Sequence, residues 1–209
     1  RLQGDVQIPG GSFMLGASPE GGFVFDNEKW AHPVEVQPFR ISRAAVSNAE
    51  YAAFVDDGGY HNSEYWDEEG HAWLAATGLQ CPRYWRRGDD GWVMRRFNQW
   101  GQLPPDAAVI HVCWHEARAF CRWAGRRLPT EVEWEVAAAG EPDASGGLSD
   151  RKRHYPWGGI KPASHLANLD GSALGTIAVG ALPESDSAFG CRQMIGNVWE
   201  WTEDSFGPY

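Results

Sequence analysis

The 209-residue sequence has little positive charge, few cysteines and no long apolar run. Its 18 Lys and Arg face 28 Asp and Glu, giving a net charge of −10. Phosphate-backbone binding needs a basic excess, so this balance argues against nucleic acid as a partner. No apolar run approaches the roughly 20 residues of a membrane span, and the first residues lack the basic-then-apolar order of a signal peptide. We therefore expect a cytoplasmic protein without a membrane partner.

The small number of cysteines, four, bears on whether the protein contains disulfide bonds. Cys81, Cys113, Cys121 and Cys191 form no Cys-x-x-Cys pair and are too sparse for a disulfide scaffold. We predict reduced thiols, with a single bridge such as Cys81–Cys191 as the alternative. The sequence has no Ser-His-Asp layout, Walker phosphate loop or dinucleotide glycine pattern, which removes several common enzyme classes.

Aromatic residues, glycine and proline are abundant, with 12 Trp, 9 Phe, 6 Tyr, 25 Gly and 13 Pro. This composition predicts a loop-rich α+β fold stitched together by tryptophan. Two capping boxes, Ser47 with Glu50 and Thr130 with Glu133, predict helix starts, and the apolar spacing predicts a further helix over 115–124.

Strand signals are short. Residues 6–16 predict a hairpin through a Pro-Gly-Gly turn, residues 32–41 a half-buried strand, and residues 176–179 and 198–202 late strands. In the last of these we expect a core strand, with Trp199 and Trp201 on its buried face and the Glu200 carboxylate, exposed or bound to a ligand, on the opposite face. Residues 60–108 show no sustained period, so we expect an irregular aromatic insertion with a short hairpin at its Asp-Asp-Gly turn.

One segment could bind a metal. His111, Cys113 and His115 would share a face of a strand, as zinc or copper ligands do, and with Glu116 they nearly match an iron-binding His-x-x-x-His-x-Glu motif. The alternative places His111 and Cys113 in the core and His115 and Glu116 on the first turn of a helix. Because no fourth ligand or correctly spaced carboxylate follows, we favour the alternative.

Five motifs together resemble one family. They are Phe25-Asp-Asn-Glu28, Val112-Cys-Trp114-x-Glu116-Ala117, Trp123-Ala-Gly-Arg-Arg-Leu-Pro-Thr-Glu-Val-Glu-Trp-Glu135, Pro156-Trp-Gly158 and Met194-Ile-Gly-Asn-Val-Trp-Glu-Trp-Thr202. They resemble the formylglycine-generating-enzyme (sulfatase-modifying factor) domain, over nearly all of residues 1–209. The resemblance implies a C-type-lectin-like α+β fold with little regular secondary structure.

Within that family, Phe25-Asp-Asn-Glu28 and Asp57-Gly-Gly-Tyr60 before a Trp-rich insertion resemble the C-terminal half of ergothioneine, selenoneine and ovothiol-type synthases. The resemblance implies a non-haem iron(II), O2-dependent sulfoxide synthase. Such enzymes join a cysteine-type thiol, or a selenosugar, to trimethylhistidine (hercynine). The iron would be held by a DinB-like helical bundle of the same polypeptide, which this sequence does not contain. We also expect the domain to be incomplete at its C-terminus, because the family continues beyond the position of Tyr209.

The resemblance assigns no catalytic residue here, but it implies a structural calcium site. Its ligands would be the backbone carbonyls of Gly196 and Val198 and the carboxylate of Glu200, with Asn168 and Leu169 resembling the start of a second site. The alternative for Glu200 is an ion pair with an arginine. We expect the aromatic insertion to line a site for the quaternary ammonium.

Two other functions stay open. One is a copper-dependent formylglycine-generating oxidase, which needs a pair of reactive cysteines late in the domain. The other is a non-catalytic lectin-like binding module.

Overall fold

The computed structural model describes residues 2–19, 23–205 and 207, so the chain end at Tyr209 lies outside the described residues. Two compact units divide the chain. Unit 1 comprises Arg1–Ala44, Pro129–Gly175 and Gly180–Tyr209, and unit 2 comprises Ala45–Leu128 and Thr176–Val179.

Unit 1 is built from short antiparallel strand pairs and one helix. Strand β1 (Asp5–Ile8) pairs with β4 (Phe39–Ser42), β2 (Gly11–Leu15) with β3 (His32–Val36), and β8 (Gly140–Pro142) with β9 (Leu148–Lys152). Helix α4 (Glu131–Ala139) begins at the predicted capping box. The core is formed by alternating residues of β1 and β2, the end of β3 and the last turn of α4, with Cys191 and Met194: Val6, Ile8, Phe13, Leu15, Val36, Val136, Ala137 and Ala138.

The predicted hairpin over residues 6–16 is wrong. The two strands are present, but β1 and β2 pair with β4 and β3 rather than with each other. The close approach of Gly10 to Val36 O shows why glycine is needed here, since a Cβ would lie 2.7 Å from that atom. A Pro-Gly-Gly sequence indicates that the chain turns. It does not indicate which strands pair, because the pairing depends on residues that are far away in the sequence.

Unit 2 contains three helices and a three-stranded sheet. The helices are α1 (Asn48–Asp56), α2 (Glu68–Thr77) and α3 (Trp114–Trp123). The sheet has the order β5 (Trp85–Gly88), β6 (Gly91–Arg96) and β7 (Gln99–Gln102), all antiparallel. Its core is almost entirely aromatic and consists of Tyr51, Phe54, Tyr60, Trp66, Trp85, Met94, Ala119 and Phe120.

The expected irregular insertion is instead largely regular. The hairpin around Asp89 and Asp90 is confirmed, but it belongs to the three-stranded sheet, and α2 precedes it. Both ends of α2 carried a signal: the Asp67 side chain accepts from the Gly70 N–H at 2.9 Å, and Gly78 adopts φ 64° at the C-terminus. The helical spacing of apolar residues in α2 was hard to recognise in a segment so rich in tryptophan. The helix packs on the aromatic core through Trp73 and Leu74.

The late strands are not formed. Residues 176–179 form an isolated bridge, Ala107 to Ala178, and residues 198–202 are not in a strand within the described part of the chain. All four cysteines are free, as predicted. The longest helices in the described ranges have ten residues, too few to cross a bilayer.

Candidate functional site

The segment that carries the predicted calcium ligands lies in unit 1 and turns sharply. Gly196 and Asn197 have φ of 84° and 63°, and the Val198 N–H donates to the Gly196 carbonyl at 2.8 Å. The Asn197 N–H donates to the Asn168 carbonyl at 2.9 Å, and a Cβ on Gly196 would lie 2.9 Å from the same oxygen. The two separately predicted ligand groups are therefore one contiguous structure, closed by a glycine that no larger residue could replace.

Glu200 extends from this turn into the protein. The indole N–H of Trp134, on α4, donates to its Oε2 at 2.6 Å. Burial raises the pKa of Glu200, and the hydrogen bond from Trp134 opposes that rise. Within the described residues Glu200 makes no ion pair with Lys or Arg, so the arginine alternative is not what the structure shows. A partly buried carboxylate without a counter-charge is a suitable ligand for a hard cation.

The flanking tryptophans lie opposite to the expected side. We predicted a core strand with Trp199 and Trp201 buried and Glu200 on the other face, but Trp199 is 101% exposed and Trp201 49% exposed. The segment is not a strand in the described structure, and it turns its carboxylate inward and its indoles outward. The alternation was right, but its direction was wrong.

The possible metal ligands of residues 111–116 do not converge. The His111 ring contacts Tyr84 at 4.9 Å between centroids, whereas the His115 ring lies 5.6 Å from Trp114 on its own helix. Glu116 is 2% exposed and accepts from the Cys113 N–H at 2.6 Å. No group of three His, Cys, Asp or Glu in the described ranges could hold a metal, and the favoured helix-start interpretation of His115 and Glu116 is confirmed.

Glu116 instead centres a buried hydrogen-bond network in unit 2. The Tyr60 hydroxyl donates to Glu116 Oε1, and the Tyr51 hydroxyl lies 3.3 Å from the Tyr60 hydroxyl and donates to the Glu116 carbonyl at 3.3 Å. Burial raises the pKa of Glu116, of Tyr60 and of Tyr51, and the nearby Glu116 charge adds to the rise at both tyrosines. Sequence reasoning missed this network because Glu116 caps a helix whose cap residue is Cys113, an unusual choice.

The expected aromatic lining is mostly core. Trp66 and Trp85 are each 5% exposed, and the Trp66 and Trp73 rings stack at 6.1 Å between centroids. Tyr84 and Trp100 remain 40% exposed each. Most of the aromatic insertion therefore stabilises unit 2 and is not free to enclose a ligand.

Comparisons with known proteins agree on one family. The profile of the sulfatase-modifying factor enzyme 1-like domain matches residues 1–209. The hercynine oxygenase of Mycolicibacterium thermoresistibile is 46% identical over 198 residues, covering 94% of this chain and 43% of the relative. The formylglycine-generating enzyme of Streptomyces coelicolor is 32% identical over 231 residues, covering 99% of this chain and 70% of the relative.

A solved structure shows the same fold. PvdO from Pseudomonas aeruginosa superposes with a TM-score of 0.59 at 24% sequence identity, covering 97% of this chain and 71% of PvdO. The predicted fold class is thereby confirmed: mixed helix and sheet, low in regular secondary structure. The chain spans less than half the length of the hercynine oxygenases that it matches.

Proposed function

Because the chain belongs to the family of sulfatase-modifying factor enzyme 1-like domains, we propose that it forms one half of a non-haem iron(II), O2-dependent sulfoxide synthase. The complete enzyme joins a cysteine-type thiol, or a selenosugar in a selenoneine synthase, to trimethylhistidine. The other half is a DinB-like helical bundle of the same polypeptide. The polypeptide then belongs to ergothioneine or selenoneine biosynthesis.

The observation that carries the proposal is the order of sequence similarity. Three mycobacterial relatives named hercynine oxygenase are 43–46% identical to this chain, whereas relatives named formylglycine-generating enzyme are 32–34% identical. Both groups align over most of the chain. A hercynine-oxidising role therefore suits this chain better than sulfatase modification does.

Iron does not fit the residues that the structure describes. Its one near-match to an iron motif is dispersed, since His111 contacts Tyr84, His115 contacts Trp114 and Glu116 is bound by Tyr60. We assign the iron ligands to the helical bundle and derive no reaction step from this chain. Its part in the enzyme is to present a rigid wall for the substrates.

Calcium fits the Glu200 segment better. Gly196 and Val198 would supply carbonyl oxygens and Glu200 a carboxylate, and the cation would provide the counter-charge that Glu200 lacks in the described structure. The role is structural: the ion would lock the turn to Asn168 and α4. Trp134 would orient the carboxylate through its indole N–H.

Terbium luminescence tests this site, because a tryptophan near a bound lanthanide sensitises its emission. Trp134 is hydrogen-bonded to Glu200, and Trp199 precedes Glu200 in the sequence. Terbium added to the protein should luminesce on tryptophan excitation, and calcium should quench the signal by competition. Glu200→Gln should weaken binding at least about tenfold, while the exposed control Glu184→Gln should not. Equal terbium luminescence from the Glu200→Gln and Glu184→Gln variants would refute the proposed calcium site.

The enzyme proposal is tested with the full-length polypeptide. Anaerobically loaded with iron(II), it should consume O2 only when trimethylhistidine and a donor are both present, and mass spectrometry should detect a C–S or C–Se product. Cysteine, other cysteine-containing thiols and a selenosugar, compared in parallel, identify the donor. No iron-dependent O2 consumption with any donor would refute the proposal.

The alternative is a copper-dependent formylglycine-generating oxidase, favoured only by family membership. It needs reactive cysteines late in the domain, yet Cys191 is completely buried and burial raises its pKa to about 11. Such a thiol is a poor thiolate ligand at neutral pH. Tight copper(I) binding that requires Cys191 would favour this alternative over the synthase.

A further inference from the structure

The three-stranded sheet of unit 2 carries an arginine stacked on a tryptophan on each of its two faces. On the inner face, which also holds the buried Trp85 and Met94, the Arg87 guanidinium lies 4.2 Å from the Trp92 ring centroid. On the outer face, Arg86 lies 4.2 Å from the ring of Trp100. Successive residues of a strand point to opposite faces, which explains the two stacks.

The two stacks differ in what completes them. The Arg87 guanidinium also donates to the Asp56 carboxylate, so a stacked arginine on this sheet is completed by an acid. Arg86 has no carboxylate partner among the described residues. Arg95, paired with Trp100 across the strands, uses its Nε–H on the Phe97 carbonyl at 2.9 Å and is likewise without an acid in the described part. The outer face thus presents two guanidinium groups that are held in place but not paired with an acid among the described residues.

The surroundings of this face are unusual for the chain. Residues 83–102 contain five arginines and two aspartates, within a protein of net charge −10. Arg86, Arg95 and Trp100 are all exposed. A basic and aromatic patch on an acidic protein is typical of a docking surface, because arginine and tryptophan are enriched at the centres of interfaces.

Unit 2 also carries the complementary surface. Glu64, Glu68 and Glu69 are exposed around the start of α2, and none forms an ion pair within the described ranges. The neighbouring Asp67 is different, since it is paired with Arg118 and Arg122. Three unpaired carboxylates therefore lie together in the same unit as the unpaired arginines.

We propose that the outer sheet face, defined by Arg86, Arg95 and Trp100, docks the acidic edge, defined by Glu64, Glu68 and Glu69, of a second copy of this chain. In a two-fold dimer each copy offers both surfaces, so the contact forms twice and closes. Each copy carries a net charge of −10, and the complementary patches favour this orientation because it places opposite charges against each other. The proposal is independent of the enzyme assignment.

Sedimentation equilibrium of the full-length polypeptide tests the dimer. At about 50 mM salt we expect a monomer–dimer equilibrium that shifts toward monomer at about 500 mM, because the Debye length shortens from over 10 Å to below 5 Å. The double variant Arg86→Glu with Arg95→Glu should weaken dimerisation at least about tenfold. The control Lys161→Glu reverses one exposed positive charge elsewhere in the chain and should leave dimerisation unchanged.

Charge exchange makes the test specific. The double variant Glu68→Arg with Glu69→Arg should also weaken self-association. In an equimolar mixture of the two double variants, mixed dimers should form more readily than dimers of either variant with itself. Circular dichroism and thermal melts confirm that each variant is folded. A monomer at every concentration tested, or a dimer indifferent to both double variants, would overturn the proposal.

Discussion

The buried Glu116 network allows a sharp test of what holds unit 2 together. Replacing Glu116 by Ala removes the acceptor of the Cys113 N–H and the acceptor of the Tyr60 hydroxyl. The bond to Tyr60 lies in the core, where water cannot replace it, because Tyr60 is 5% exposed and Glu116 is 2% exposed, whereas the bond from the Cys113 N–H is only partly buried. We expect Glu116→Ala to destabilise the protein strongly for a single substitution.

The magnitude follows from the two bonds. Loss of the reciprocal cap costs about 1 kcal/mol, and a buried hydroxyl without an acceptor costs about 1–3 kcal/mol. Two effects reduce the sum: the Tyr51 hydroxyl, 3.3 Å away, is an alternative partner for Tyr60, and removing a buried carboxylate relieves its desolvation. We expect a net loss of about 2 kcal/mol, or roughly 4–8 °C in Tm for a chain of this length.

Glu50 provides a matched control. It occupies the same third position of a capping box, at the start of α1 in the same unit, but its side chain is exposed. Glu50→Ala should cost only the cap, about 1 kcal/mol. The difference between the two variants in urea unfolding, followed by tryptophan fluorescence, isolates the buried bond to Tyr60.

A double-mutant cycle with Tyr60→Phe completes the test. If the hydroxyl and carboxylate are coupled, Glu116→Ala should cost about 1 kcal/mol less when Tyr60 is already Phe. Equal costs for Glu116→Ala and Glu50→Ala, together with no coupling in the cycle, would refute the buried hydrogen bond.

Three further predictions follow from the described contacts. Burial raises the pKa of Glu116 above 4.5, so its contribution to stability is present at low pH and lost as pH rises through the raised value; Glu116→Gln should flatten that loss in urea titrations across pH. Gly59→Ala should cost about 1–3 kcal/mol, because its Cβ would lie 2.1 Å from the Phe54 ring, whereas Gly101→Ala, with nothing within 4 Å, should change the free energy of unfolding by less than about 0.5 kcal/mol. Cys191 should resist iodoacetamide at neutral pH in the native protein and react rapidly in urea, as mass spectrometry would show; rapid native alkylation would contradict its burial.

Local chemistry in the sequence was sufficient for the helix starts. The capping boxes at Ser47 and Thr130 are both formed, with the Glu50 N–H donating to Ser47 Oγ at 3.3 Å and the Glu133 N–H to Thr130 Oγ1 at 3.1 Å. These bonds join residues three apart, so a short sequence contains all their partners. The free cysteines, the mixed fold class and the family were predictable for the same reason: each is encoded in composition or contiguous motifs.

The tertiary structure alone decided strand partners and the direction in which side chains face. β1 and β2 have the right pattern for a hairpin, yet each pairs with a later strand, because pairing is selected by burial against α4 and its neighbours. The alternation of Trp199, Glu200 and Trp201 was visible in the sequence, but which side enters the protein was not.

The site shows the same division. The sequence determined that Glu200 is an isolated acid between tryptophans and that Glu116 opens a helix. Only the folded chain brings Trp134, 66 residues away, to the first carboxylate and Tyr60, 56 residues away, to the second. Both contacts exist because a carboxylate removed from water, fully at Glu116 and partly at Glu200, needs a hydrogen-bond donor, and packing of the whole unit determines which donor is within reach.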